Sequence, residues 1–448
     1  MKRLTSLDFI RGVLVIGMTT SHVVLLNVDF TIPSDLSSLT PIQMVLGAIF
    51  INFTHWRGFF FLVSGTASYF SLLTKLEQGK SRGSILKNQL LAGFILIIIG
   101  KLYVTFFYFW GMIDEWTRLN GWNWDLWPMF YFVDTIESLG FITIFAGIIF
   151  YLITIKKGQH RWKLNTIVAI GISNIIFFVH PYIHDSISVI AGIDLARSTN
   201  FDAFGYGFDK EIGEKIIRVF LNALVGREAP LFPMLGVYFM GTAIAFVLKN
   251  PKPTRKHLRL LYIPCILMIG VAGYEALWVI GFENLDPFFY VFPRWYSFFS
   301  IGTQMMIVIV FLIYIEFNPR TNEKRWLNGT RYIRRFSIFA LTVYWFQLLE
   351  AIPRNLLMVL FDIDTTIRFN LNLGWSLILM FVTLGMWSGI LYVFDRYLDG
   401  IGSLEWVILQ FRSVKKINEM KRFVRLNISE KLQQVEMIRF LPEQHEQL

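Results

Sequence analysis

The chain is poor in cysteine and in charge, and each shortage excludes classes of protein. Its 448 residues include one cysteine, Cys265, which excludes a disulfide framework and a cysteine-based metal cluster. Charged residues make up 17% of the chain, against about 25% in average soluble proteins. Hydrophobic residues make up 54% and are grouped in long blocks. This combination excludes a soluble globular enzyme, a disordered chain and a fibre.

In place of these features the chain has a series of apolar runs long enough to cross a membrane. A hydrocarbon core of about 30 Å is crossed by roughly 20 apolar residues in a helix. About ten such runs are present, near 8–27, 42–73, 84–110, 134–155, 164–183, 230–248, 258–281, 294–315, 336–361 and 374–396. The sequence therefore predicts an all-α fold, a polytopic transmembrane helical bundle with about ten spans.

The net charge of +10 orients this bundle rather than pointing to nucleic acid. With the N-terminus in the cytoplasm, each inner segment is richer in Lys and Arg than the outer segments beside it, apart from the long loop 184–229. This is the positive-inside bias, which does not apply to long loops. We therefore expect both termini in the cytoplasm, the lipid bilayer as the main partner, no nucleic-acid binding, and a multi-pass protein of the cell membrane.

The first span carries Arg11 and His22, which are eleven residues apart. At 3.6 residues per turn this spacing returns to within about 20° of the same helix face, roughly 16 Å along the axis. Asp8 lies three residues before Arg11 and can pair with it, and Gly12 allows close approach of a neighbouring helix. An arginine that reaches the inner headgroups and a hydrogen-bonded core histidine are the alternatives. The shared face favours a functional pair.

Two further polar residues in predicted spans are candidates for the same site. His55 lies in the second span, where a neutral imidazole could accept a proton near neutral pH or serve only as a hydrogen-bond strut. Glu137 lies one turn into the fourth span and could orient a histidine, whereas Asp134 suits a capping role. Neither His22 nor His55 belongs to a closely spaced metal-binding pair, so no metal is expected.

The C-terminal region differs from the transmembrane-type segment 1–404. Apolar residues recur at helical spacing over 405–426, with Lys and Arg between them. This pattern predicts a basic amphipathic helix on the anionic cytoplasmic leaflet. The last stretch, 427–448, is polar and is expected to be loose.

Several motifs resemble the transmembrane acyltransferase superfamily. The stretch 3–12 resembles the opening "R-x-x-x-L-D-x-x-R-G", and Arg11 with His22 matches the Arg-x10-His motif of acyltransferase-3 proteins. The stretch 54–65 resembles the second helix of heparan-α-glucosaminide N-acetyltransferase-like proteins. The stretches 341–347 and 402–406 are similar to "L-T-x-Y-x-x-Q" and "G-P-L-E-W" of the YeiB-type (DUF418) proteins, with Ser403 in place of the proline.

The resemblance implies an acyltransferase that moves an acyl group, such as acetyl, from cytoplasmic acyl-CoA to a hydroxyl or amine of an extracytoplasmic glycan or lipid. It implies His22 or His55 as the general base, with Glu137 as a further catalytic residue. Arg227 or Glu137 would position a reacting group, and inner-side arginines would hold the CoA phosphates. The residues implied to bind acyl-CoA or the acceptor are Arg11, Arg57, Arg227, Arg331, Arg334 and Arg335.

Two other functions remain open. Charges inside a membrane also mark transport pathways, so a transporter or flippase is the first alternative, although the sequence has no clear repeat of the kind many transporters carry. A non-catalytic scaffold or sensor whose cytoplasmic tail binds a partner is the second. A homodimer stays an open alternative to a monomer.

Overall fold

A computed structural model describes most of the chain. The residues it describes are 2–28, 57–108, 111–117, 130, 133–191, 220–221, 223–225, 230–280, 294–363, 370–413, 423–432 and 435–440. Within them the fold is helical, and the single strand pair, β1 (Lys2–Arg3) with β2 (Glu436–Met437), has two residues in each strand. The predicted all-α class is confirmed.

The helices follow the apolar runs of the sequence. In chain order they are α1 (Thr5–Asn27), α2 (Arg57–Glu77), α3 (Arg82–Leu102), α4 (Met112–Thr117), α5 (Thr135–Ile153), α6 (Trp162–Ala191), α7 (Leu231–Leu248), α8 (Arg255–Leu260), α9 (Tyr262–Tyr274), α10 (Arg294–Ile315), α11 (Glu323–Gly329), α12 (Arg331–Ile338), α13 (Ala340–Trp345), α14 (Ala351–Phe361), α15 (Leu373–Arg396), α16 (Leu404–Arg412) and α17 (Ile428–Leu432). π-Helical turns at Tyr103–Phe107 and Glu275–Ile280 extend α3 and α9. Short 3-10 helices occupy Ile155–His160 and Gln347–Glu350.

Polar side chains cap several of these helices at the positions where the apolar runs begin. Ser81 accepts a hydrogen bond from the first turn of α3, and Asn372 does the same for α15. Ser403 accepts from Trp406 N at 3.2 Å and so starts α16. Such caps satisfy backbone N–H groups that have no partner within the helix.

Nine helical stretches of the described chain are long and apolar enough to cross a membrane. They are Thr5–Val24, Gly58–Glu77, Arg82–Asp114, Thr135–Ile153, Trp162–Ile187, Leu231–Leu248, Arg255–Trp278, Arg294–Ile315 and Leu373–Arg396. Each overlaps one of the ten runs identified in the sequence; of the run 42–73, residues 42–56 lie outside the described residues. The protein is a multi-pass membrane protein built as a polytopic helical bundle.

The helix α7 lies at the centre of the bundle and α15 at its edge. In the spanning stretch of α7, 89% of the residues are buried, against 22% in α15. Helix α7 packs against α2 and α6, and a Cβ atom on Gly241 would lie 2.1 Å from the Leu62 carbonyl oxygen of α2. Small residues allow this close packing of membrane helices. The exposed apolar side chains of α15, such as Phe381, are left to face lipid.

The predicted span 336–361, the ninth in chain order, is not a single helix, and the prediction is wrong in this respect. The chain forms α12, breaks at Phe339, forms α13, breaks at Phe346, and continues through the 3-10 helix into α14. We call residues 331–361 the broken segment. It runs beside α1 in the same direction, because Gly12 packs on Ile333 at one end and Asn27 bonds to Glu350 at the other.

The C-terminal segment packs on the N-terminus. The strands β1 and β2 pair in parallel, Phe440 N donates to Glu316 O at 3.0 Å, and Ile428 and Leu432 are buried in the core. Residues 2–3 and 435–440 therefore lie on the same side of the bundle. The expectation of a loose tail over 427–448 is wrong for the described residues 428–432 and 435–440. Of the helix expected over 405–426, the described part is α16, which ends at Arg412; residues 423–426 are not helical, and 414–422 lie outside the described residues.

Candidate functional site

The first helix presents both of its polar residues to the broken segment. Arg11 Nε donates to Ser337 Oγ of α12 at 2.7 Å, and His22 Nδ1 lies 2.6 Å from Gln347 Oε1. Arg11 and His22 thus share one face, as their spacing predicts. Both contacts join α1 to the broken segment. The breaks at Phe339 and Phe346 lie between Ser337 and Gln347.

The contact with Gln347 defines the protonation pattern of the His22 ring. An amide oxygen only accepts hydrogen bonds, so His22 Nδ1 carries the proton in this contact. In the neutral ring the lone pair is then on Nε2, the atom that can take up a proton. His22 is partly exposed, whereas Gln347 is buried and its Nε2 lies 3.5 Å from Met18 Sδ. The contact with Gln347 therefore orients the imidazole and holds it through its Nδ1–H group.

Arg11 belongs to a charged cluster at the predicted cytoplasmic end. Asp8 Oδ1 accepts from Arg11 Nη2 at 2.9 Å and from Arg3 Nη2 at 3.0 Å. Asp8 is buried, and 23% of the Arg11 side chain is exposed. The predicted Asp8–Arg11 pair is therefore present. The carboxylate compensates part of the two positive charges, and Arg11 remains partly accessible.

A second polar cluster lies at the other end of α1. Glu350 accepts from Asn27 Nδ2 at 3.1 Å and from Arg354 Nη1 at 3.3 Å. Arg354 Nη1 also lies 3.7 Å from Asp114 of α4, and its Nη2 donates to Thr117 Oγ1 at 3.2 Å. Arg354, Glu350 and Asp114 are fully buried. These contacts join α1, α4 and α14 and hold the outer end of the broken segment.

Glu137 is engaged by groups other than His22. Its Oε1 lies 3.8 Å from Lys101 Nζ, and its Oε2 accepts from Asp134 N at 3.2 Å, which closes a capping box at the start of α5. The predicted capping role of Asp134 is supported by this box. Asp134 Oδ2 also accepts from Tyr344 OH of α13 at 2.5 Å. A catalytic role for Glu137 stays a prediction.

The three inner arginines expected at the CoA phosphates already have partners in the protein. Arg331 and Arg335 both donate to Asp395 Oδ2, at 3.1 and 2.7 Å. Arg334 is buried and donates to the carbonyl oxygens of Leu327 at 2.7 Å and Leu432 at 3.1 Å. A phosphate could reach Arg334 only after the C-terminal segment had moved, so phosphate binding by Arg334 does not fit this conformation.

Glu405, at the first turn of α16, bonds to the break in the broken segment. Its Oε1 accepts from Leu341 N at 2.7 Å and from Thr342 N at 3.1 Å, and its Oε2 accepts from Thr342 Oγ1. Burial raises the pKa of the Glu405 carboxyl, and these hydrogen bonds act in the opposite direction. The stretches 341–347 and 402–406, singled out separately in the sequence, therefore meet in the fold.

Three of the predicted site groups lie outside what the structure describes. They are His55, Arg227 and the side chain of Arg57. Among the described residues, no group of three or more His, Cys, Asp or Glu side chains is arranged to hold a metal ion.

In comparisons with known proteins, no family model matches this chain and no curated protein matches it significantly.

Sequence reasoning alone missed the partners of the two α1 residues. Ser337 carries no charge and gave no signal. Gln347 ends the motif 341–347, but its position in the sequence does not indicate that it contacts a histidine 325 residues away. Glu350 and Arg354 were detectable as ionisable residues within an apolar run, which is a functional or structural signal in a membrane protein.

Proposed function

We propose that this protein is an integral membrane acyltransferase of the cell membrane, which transfers an acyl group from cytoplasmic acyl-CoA to a hydroxyl or amine of an extracytoplasmic glycan or lipid. The observation that carries the proposal is the contact between His22 Nδ1 and Gln347 Oε1. It joins the Arg-x10-His motif of α1 to the motif 341–347, and it orients the His22 imidazole.

In the proposed reaction His22 acts as the general base. Its Nε2 takes the proton from the acceptor hydroxyl or amine as the acceptor oxygen or nitrogen attacks the thioester carbonyl carbon. The tetrahedral intermediate then collapses with cleavage of the carbon–sulfur bond. The leaving CoA thiolate takes the proton from His22, which returns the ring to its neutral form. Gln347 holds the ring through Nδ1 during both proton transfers.

Arg11 is the proposed contact for the donor. Arg11 lies on the same face of α1 as His22, roughly 16 Å away along the helix axis. Part of its side chain is exposed at the predicted cytoplasmic end. A CoA phosphate or pantetheine amide approaching from the cytoplasm would meet this guanidinium before the acyl group reaches His22. Arg331 is the second candidate, since 36% of its side chain is exposed.

Radiolabelled acetyl-CoA consumption by proteoliposomes that contain native membrane lipid extract tests the proposal. We expect His22→Ala to lower the rate by about 100-fold or more, because a positioned general base contributes about 10²–10⁴-fold. His160→Ala, an exposed histidine outside the spans, is the matched control and should keep the wild-type rate. His55→Ala is measured in parallel, since either histidine could be the base. Full activity in both His22→Ala and His55→Ala would rule out the mechanism.

A transporter or flippase is the second candidate, and the broken segment favours it. Helices interrupted within the membrane form binding sites in many transporters, and the breaks at Phe339 and Phe346 lie between two charged clusters. Movement of a fluorescent phospholipid or glycolipid across proteoliposomes without acetyl-CoA would favour this function. Acetyl-CoA consumption without such movement would favour the acyltransferase.

A further inference from the structure

The carboxylate of Glu405 replaces main-chain hydrogen bonds at the first break of the broken segment. In an uninterrupted helix the N–H groups of Leu341 and Thr342 would donate to the carbonyl oxygens of Ser337 and Ile338. Here both donate to Glu405 Oε1, at 2.7 and 3.1 Å. A carboxylate that accepts backbone N–H groups in a buried site stabilises the break, because those groups find no water there.

The contact between α16 and α13 is reciprocal. Thr342 Oγ1 donates to Glu405 Oε2 and accepts from Leu404 N at 2.9 Å. Ser403, the residue that stands in place of the family proline, accepts from Trp406 N and so fixes the first turn of α16. The turn before it contains Gly402 at φ +89°, a conformation that glycine adopts without strain. Glu405 is therefore presented to the break by a defined turn.

The short helix α13 connects this contact to His22. Tyr344 of α13 is held by Asp134 at 2.5 Å, and the buried Trp345 precedes the second break. The 3-10 helix that starts with Gln347 follows that break directly, and Gln347 Oε1 lies 2.6 Å from His22 Nδ1. The position and direction of α13 thus determine where the Gln347 amide lies. Glu405 determines where α13 begins.

We propose that Glu405 is a positioning residue, which holds the break at Phe339 open and so places Gln347 on His22. The inference depends on the proposed function only for its catalytic meaning, since the contact itself can be tested without acyl transfer. Glu405 contacts neither His22 nor a reacting atom in this arrangement. It acts through α13 and Gln347.

The test measures carbethoxylation of His22 by diethyl pyrocarbonate in the full-length, detergent-solubilised protein. The reagent modifies unprotonated imidazole, so the extent of modification against pH, followed by mass spectrometry of the His22 peptide, gives a midpoint for this ring. Gln347→Ala removes the acceptor that the His22 ring contacts through Nδ1. We therefore expect the midpoint for Gln347→Ala to differ from that of the wild type.

If Glu405 positions Gln347, Glu405→Ala moves the His22 midpoint in the same direction. The double variant Glu405→Ala/Gln347→Ala then moves it no further than Gln347→Ala alone. Glu405→Gln keeps an oxygen that can accept from Leu341 and Thr342 and should restore the wild-type midpoint. The exposed His160 serves as an internal reference, whose midpoint should be the same in every variant.

A wild-type His22 midpoint in Glu405→Ala, together with a shifted one in Gln347→Ala, would overturn the inference, as would shifts that add in the double variant. Should Glu405→Ala fail to run as a monodisperse species, Glu405→Asp replaces it, because the shorter side chain withdraws the carboxylate from Leu341 N and Thr342 N. A wild-type midpoint in Glu405→Asp would then contradict the proposal. Full acetyl transfer in both His22→Ala and His55→Ala would refute the proposed function and leave these midpoints unaffected.

Discussion

At the scale of single residues, the described inner arginines are bonded within the protein. Asp395 accepts from both Arg331 and Arg335, and Arg334 is held by backbone carbonyls and Thr330 Oγ1. Desolvating a charge is costly unless it is paired and hydrogen-bonded. Arginines near a membrane interface therefore do not by themselves indicate a phosphate site. Arg11, with its part-exposed side chain, differs from Arg334 in this respect.

Glu316 makes stability depend on pH. It lies just after α10, is fully buried and accepts from Ser6 N at 2.8 Å. Burial raises the pKa of its carboxyl to about 8, from an ordinary value of 4.5. The folded protein therefore keeps a proton that the unfolded chain releases as the pH rises. The free energy of unfolding is therefore lowered by ionisation of this group as the pH rises, and the loss is complete above about pH 8. Below about pH 4.5 the carboxyl is protonated in both states and does not make stability depend on pH.

We expect Glu316→Gln, which is neutral at every pH, to remove this dependence. Its Tm should be close to that of the wild type at pH 5 and higher by several degrees, on the order of 5 °C, at pH 8.5. Differential scanning fluorimetry in detergent measures both values. Glu77→Gln is the control, because the Glu77 side chain is 53% exposed, and its Tm difference should not change over this range. A pH-independent difference for Glu316→Gln would contradict the assignment.

At the scale of elements, the broken segment is held by side chains from several other helices. Arg11 of α1 bonds to its first part, Glu405 of α16 to the break at Phe339, and Asp114 of α4 lies beside Arg354 in its last part. The Glu405 carboxylate accepts backbone N–H groups that a regular helix would bond internally, whereas the other contacts join side chains. The segment can therefore depart from α-helical geometry within the membrane, where unpaired backbone groups are excluded.

The outer cluster should be sensitive to loss of the Arg354 charge. Arg354 lies between Glu350 and Asp114, and all three side chains are fully buried. We expect Arg354→Gln to destabilise the protein by about 3–5 kcal/mol, because it removes the guanidinium that lies beside two buried carboxylates. Thermal unfolding measures the change.

A second substitution separates charge from packing in this cluster. Adding Asp114→Asn to Arg354→Gln removes one of the two carboxylates, so part of the lost stability should return. Equal stability of the single and double variants would indicate that packing around Arg354, rather than charge compensation, is responsible.

At the scale of the whole molecule, residues 2–3 and 435–440 pack together on one side of the bundle. Besides the β1–β2 pair, Met437 N donates to Glu323 Oε1 at 2.7 Å and Arg439 bonds to the Thr321 carbonyl oxygen. Phe440 stacks on Phe317, with ring centroids 4.6 Å apart and an interplanar angle of 21°. The C-terminal segment therefore contributes to the fold of the membrane domain.

Phe440→Ala tests this contribution. It removes the ring that packs on Phe317, and we expect it to lower the free energy of unfolding by about 1–3 kcal/mol, from the lost stacking and the lost apolar burial. Phe411→Ala is the matched control, because the Phe411 side chain is 59% exposed. The two variants are compared by thermal unfolding in the same detergent. Equal Tm values would show that the C-terminal segment does not stabilise the bundle.

The sequence by itself determined the helical spans and the face shared by Arg11 and His22. Run length and helical periodicity are local properties, so nine spans could be identified without knowing which helices touch, and the pair Asp8–Arg11 needed only a three-residue spacing. The same local reasoning failed at 336–361, where no proline or glycine marks the break at Phe339.

Only the tertiary structure decided the break, the partner of His22 and the packing of the C-terminal segment. Each depends on groups far apart in the chain: Glu405 is 64 residues from Leu341, and Gln347 is 325 residues from His22. A buried backbone or charged group takes whichever partner the fold brings within hydrogen-bond distance. That partner is a property of the packed bundle, because no local pattern in the sequence specifies which distant side chain will be there.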